Sequence, residues 1–137
     1  MKKSLQIKKL KAFSLTELLI ALVIMGILIL LALPELMPLI SKAKSTEAQI
    51  QLNHIYTLEK SYFYLRSKYS NNFDDISYEH AKLVSEGGNA NYKIEVVDAA
   101  QTTFKARATA TVDFDGDGTF NVWEIDQDQK LVEVTKD

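Results

Sequence analysis

From Leu18 to Leu33 the chain carries no charged side chain, yet Glu17 stands directly ahead of that run. Phe13 to Leu33 is 21 residues, about 31 Å as an α-helix at ~1.5 Å per residue, enough to cross the hydrocarbon core of a bilayer. Five lysines (Lys2, Lys3, Lys8, Lys9 and Lys11) crowd its N-terminal flank. Cationic flanks stay on the cytoplasmic side, so the amino end is expected inside and everything after Pro34 outside. The basic start followed by an apolar run has the outline of a secretory signal. However, LALPELMPLI downstream offers no small-x-small cleavage site, so the segment is expected to remain as a membrane helix.

A plain single-pass anchor has no use for Glu17, which it can tolerate only by snorkelling toward the headgroups. A cut between Ala12 and Phe13 would change that. It would create an α-amino group one helical turn before Glu17, at the helix end where the macrodipole favours negative charge. The carboxylate could then answer the amine of its own chain or of a neighbour in a helical stack.

The stretch KAFSLTELLIALVIMGILILLALP resembles the N-terminal signal of type IV prepilins and the related pseudopilins of type II secretion. In that family a basic leader and a small residue precede the cut. A Phe, a hydroxyl- and Leu-rich turn, a Glu and an apolar helix follow it. Ala12 stands where glycine is usual, and Phe13, Glu17, Gly26 and Pro34 fall at matching places. The resemblance implies removal of residues 1–12 by a prepilin peptidase and N-methylation of Phe13. It further implies polymerisation through residues 13–40 at an inner-membrane assembly platform, with Glu17 meeting the Phe13 amine of an adjacent subunit. The filament would be homopolymeric, periplasmic or on the cell surface.

Pro34 and Pro38 each lack an N–H and crowd the preceding turn, which predicts breaks in the helix there. Beyond them residues 41–137 read as an amphipathic helix plus a β-sheet head. Leu52, Ile55, Tyr56, Leu58, Tyr62, Phe63, Leu65 and Tyr69 share one half of a helical wheel that ends near residue 68. Asn53, His54, Thr57, Lys60, Ser61 and Lys68 take the other half. Residues 71–91 are rich in Asn, Asp and Gly and predict a loop with one short helical turn. Alternation then predicts strands in NYKIEVV, TFKARATATVDF, FNVWEID and KLVEVT. Phe104, Ala106, Ala108, Ala110 and Val112 fall on one face of the second. The expected fold is α+β, one long helix on an antiparallel sheet of about four strands, as in pilins.

The sharpest polar signal is DFDGDGTFNVWE. Asp113, Asp115, Asp117, Thr119 (by its carbonyl), Asn121 and Glu124 match the spacing of a calcium loop, with Gly118 at the bend. The flanking strands differ from the helices of an EF-hand, which weakens Glu124, and Asp126 or Asp128 could replace it. An Asp-Gly turn with no ion is the competing reading. An acidic, Gly-rich turn before a Trp strand, here Trp123, also resembles many pilins and pseudopilins.

Composition excludes several classes. With no cysteine there is no disulfide or thiolate site. Without the five leader lysines, 11 basic residues face 18 acidic ones, a net of −7 that disfavours nucleic-acid binding. His54 and His80 form no nucleophile–base set, so an enzyme is not expected. Three readings remain: a type IV pilus-like filament subunit, the major pseudopilin of a type II secretion system, and a membrane-anchored calcium-binding or adhesive module that does not polymerise.

Overall fold

A computed structural model of the chain describes residues 12–137, so the lysine-rich leader before Ala12 lies outside the described residues. One helix, α1, runs Leu15–Arg66. It passes through Pro34 and Pro38, correcting the expected breaks. Each proline removes a single i→i−4 bond, and the residues on either side keep theirs. The chain divides into two compact units, one ending at Glu35 and the other spanning Leu36–Asp137. In the first, the large apolar side chains of α1 are exposed around the whole circumference. That stretch is long and apolar enough to cross a membrane.

The second unit has a core. Four strands form an antiparallel meander in the order β1 (Tyr92–Ala99), β2 (Phe104–Ala110), β3 (Val122–Asp126), β4 (Leu131–Thr135). The α+β architecture expected from the pattern is therefore the one observed. Phe104, Ala106, Ala108 and Ala110 are buried on one face of β2, as alternation requires. Val112 is exposed instead, because the strand ends at Ala110 and the chain turns away into the acidic loop.

The part of α1 within this unit buries Ser41, Ser45, Ala48, Leu52, Ile55 and Glu59, residues three and four apart that form one stripe. Tyr56, Leu58, Tyr62 and Phe63 flank it, half-buried, whereas Leu65 is 81% exposed, against expectation. The wheel placed Leu65 correctly on the apolar side. But the helix ends one residue later, and the chain folds back through Tyr69, which fills the core in its place. Tyr69 stacks on Phe63 at 4.8 Å and lies 4.9 Å from Phe104 between ring centroids. Burying Leu52, Ile55 and Phe104 contributes roughly 1.5–3 kcal/mol each. Residues 67–91 are mostly loop with one 3₁₀ turn, Val84–Glu86.

Register fixes the two ends of the sheet. Tyr92 pairs with Ala110 at one end and Ala99 with Phe104 at the other. The β2–β3 connection, which carries the acidic residues, leaves from the Tyr92 end. The β3–β4 turn lies at the other end, where Asp126 pairs with Lys105.

Candidate functional site

The start of α1 explains Glu17 locally. The Ser14 amide and hydroxyl both donate to Glu17 Oε2, at 2.8 and 2.9 Å, and the Glu17 amide donates to Ser14 Oγ at 3.2 Å. This is a reciprocal capping box: Ser14 is the N-cap and Glu17 satisfies a backbone donor that the helix leaves free. SLTE matches the S-x-x-E signature, so the cap was legible in the sequence, although charge placement alone did not reveal it. Ala12 and Phe13 precede the helix and are exposed. Gly26 sits in open space where an added Cβ would meet no neighbour, and Pro34 lies within α1.

At the acidic loop, one oxygen from each of Asp113, Asp115 and Asp117 lies within 4.8 Å of the others. Gly116 and Gly118 adopt left-handed φ values of 82° and 88°, which favour glycine. Their amides donate to the two oxygens of Asp113 at 2.6 and 2.7 Å. The Asp117 amide bonds Asp115 at 3.0 Å, and the Thr119 amide bonds Asp117 at 2.6 Å. These backbone donors, the Gly118 amide first, hold the Asp113 carboxyl below its ordinary range. Three convergent carboxylates and no nitrogen or sulfur donor suit a hard divalent cation.

Two of the six positions assigned from the template are engaged elsewhere. Glu124 points across the sheet to Arg107, whose Nε and Nη2 lie 2.8 and 2.6 Å from Oε1, and to Lys105 at 3.4 Å. It belongs to β3, where alternation turns it to the charged face. Burial pushes its carboxyl up, but the Arg107 hydrogen bonds and the Lys105 charge prevail and hold it below its ordinary value. Asn121 is fully buried. Its Oδ1 accepts from the Tyr92 hydroxyl at 2.7 Å, and its Nδ2 donates to Glu133 and to the Thr135 carbonyl. Asp126 ends β3 and Asp128 lies in the β3–β4 turn, at the opposite end of the strand from the acidic loop; Asp126 Oδ1 caps that turn by accepting from the Asp128 and Lys130 amides.

The spacing argument missed Asp137. Its Oδ2 accepts the Phe114 amide at 3.1 Å, and its carbonyl accepts from Ser41 Oγ at 2.8 Å. Burial, then the charges of Asp115 and Asp113, push its carboxyl up. It lies 24 residues after Asp113, and no local pattern announces that approach.

A capped apolar helix of membrane-crossing length and a helix-on-meander head define the class: an α+β chain with a long apolar N-terminal helix. Residues 7–33 match the family described as the Prokaryotic N-terminal methylation motif. The Type IV major pilin protein PilA of Myxococcus xanthus (strain DK1622) is 34% identical over 68 residues, which cover 50% of this chain and 31% of that protein. Motif and similarity together liken this chain to type IV pilins, although it spans less than a third of the relative it matches.

Proposed function

We propose that this chain is a structural, non-enzymatic subunit of a type IV pilus-like filament. In this reading it is held in the inner membrane by α1 with its amino end in the cytoplasm. It is cut after Ala12, methylated on Phe13, and polymerised with copies of itself through the apolar half of α1. The methylation motif over residues 7–33 carries the reading, and the exposed apolar side chains up to Leu33 support it, since they need a lipid or protein partner. Intact mass and N-terminal sequencing of the protein from cells test it. A chain beginning at methylated Phe13 and recovered in sheared fibres is the expected result. The same mature chain confined to the periplasm would favour a secretion pseudopilus, and an uncut chain would favour the non-polymerising anchored module.

Two roles for Glu17 separate by substitution. A capping box accepts Gln in place of Glu, whereas attraction to a subunit's amine needs the charge. Glu17→Gln is therefore expected to be processed normally and to lose filaments. Normal fibre yield would assign Glu17 to the cap alone.

The loop supports a second reading, a bound calcium ion held by Asp113, Asp115 and Asp117 with the Thr119 carbonyl. Extracellular calcium sites of roughly 10⁻⁴ to 10⁻³ M fill at millimolar calcium. Calcium is expected to raise the thermal midpoint of the head and chelation to lower it, with both effects lost in Asp115→Asn/Asp117→Asn. An identical midpoint with calcium and with chelator would leave the loop a polar turn.

A further inference from the structure

Glu59 is fully buried in the middle of a helix–sheet core, where a carboxylate has no structural need to be. Its Oε2 accepts the Ser70 amide at 3.1 Å, while its Oε1 has no hydrogen-bond partner and no solvent contact. Ser70 opens a short loop whose other bonds are internal. Ser70 Oγ donates to Asp75 at 2.6 Å and accepts from the Asn72 amide at 3.1 Å, and the Asp74 amide bonds Asn72 at 3.0 Å. Firm anchors stand on both sides. Tyr69 is stacked in the core with its amide on the Ala100 carbonyl, and Ile76 is buried. Ser67 and Ser77, both at φ 56°, mark sharp left-handed turns just outside those anchors. The loop borders an open groove of about 550 Å³ lined in part by Arg66, Lys68, Tyr69, Ser70, Asp75 and Gln101.

Among the described residues, the groups facing Glu59 offer it no counter-charge. Asp75, across the loop, is of the same sign. Lys60, its neighbour on α1, is engaged by the Tyr69 hydroxyl at 3.1 Å and by the faces of Tyr56 and Tyr69. The buried core residues of the sheet, among them Phe104, Ala106, Ala108 and Ile125, carry no charge. Burial first, then the Asp75 charge, raise the carboxyl against the lowering effect of the Ser70 amide, leaving it at about 6.

We propose that Glu59 is a proton-operated latch on the Ser70–Asp75 loop: neutral, it holds Ser70 against α1; ionised, its bare Oε1 draws in water and the loop swings out, widening the groove. The proton passes to solvent, and two terms drive the opening. An unpaired buried charge is costly, and Asp75 repels it. Tyr69 and Ile76 confine the movement to the loop. The groove at this end of the head is thus narrower while Glu59 is neutral and wider once it is ionised.

Amide exchange on the isotope-labelled full chain in detergent micelles tests this. After correction for intrinsic rates, the protection of Ser70, Asn72 and Asp74 should fall about tenfold or more between pH 5 and pH 7. The Tyr69 and Tyr92 amides should hold, and the Glu59 carboxyl carbon should titrate over the same range. In Glu59→Gln the loop's protection should be flat with pH. A flat profile in the wild type, or the same fall in Glu59→Gln, would overturn the latch. If Glu59→Gln does not fold, the wild type still decides. Coincident midpoints for the Glu59 carboxyl and the Ser70 amide support the latch; midpoints more than about one pH unit apart refute it.

Discussion

The two stretches of α1, Leu15–Glu35 and Leu36–Arg66, make opposite use of one secondary structure. The first is the more hydrophobic and buries nothing within the chain. The second buries a stripe of six in which Ser41, Ser45 and Glu59 are polar. Hydrophobicity therefore does not mark where this chain's own stability lies. The apolar stretch is complementary to an environment outside the chain, whereas the polar-flecked one is complementary to a sheet whose facing residues include three alanines. Small residues on both sides fill the space that Leu and Phe would overpack.

The sharpest test of that contrast is a matched pair of truncations. Phe104→Ala removes a buried ring in contact with Tyr69 and Tyr56 and is expected to cost about 3–5 kcal/mol in the head. Leu28→Ala removes a side chain 61% exposed in the other unit and should change head stability by less than about 0.5 kcal/mol. Denaturant unfolding of both variants in detergent, followed by near-ultraviolet dichroism, reads the difference. Equal losses would mean that the two stretches share one cooperative unit.

Within the second stretch, Glu59 is where the stripe departs furthest from an apolar core. A folded pKa of about 6 against an ordinary 4.5 means that the unfolded chain releases this proton first as pH rises. Stability contributed at this position is thus whole below pH 4.5 and declines toward pH 6, by about 2 kcal/mol in all. Glu59→Gln should be more stable than the wild type at pH 7 and should lose that advantage below pH 4.5. Urea midpoints at pH 4 and pH 7 check it; a constant difference between the two proteins would show that folding does not shift the Glu59 carboxyl.

How far these features could be read in advance depended on their range along the chain. The apolar run, the four alternating segments and the SLTE cap all lie within a few residues of themselves, and each has a period or spacing to detect. Glu59 sat unremarked among residues of the helical wheel because a charged residue ordinarily faces water. Its burial depends on Ser70, eleven residues on, after the chain has turned back. The calcium template could not register where Asn121 and Glu124 point for a related reason: it counts positions along one loop. These two are governed by cross-strand neighbours, Tyr92 and Arg107, from β1 and β2. Asp137 was invisible for the same cause, since only the meander brings it to Phe114.

Glu124 gives the smallest and most discriminating contrast, between strand and loop. On β3 it is an ion-pair partner, with its side chain 15% exposed beside Arg107 at 37% and Lys105 at 49%. Two such half-solvated partners stabilise by about 1 kcal/mol, so Glu124→Gln should lower head stability by about that amount at pH 7. Its carboxyl is held below the ordinary 4.5. The contribution is therefore present above pH 4.5 and disappears as pH falls through the lower folded value, the reverse of Glu59. Salt should shrink it, because both cations reach water. Calcium should not: the rise in thermal midpoint on adding calcium is expected to be the same in Glu124→Gln as in the wild type and to vanish in Asp115→Asn/Asp117→Asn. A calcium response lost in Glu124→Gln would return this residue to the ion and mean that the Arg107 pair opens when the loop is filled.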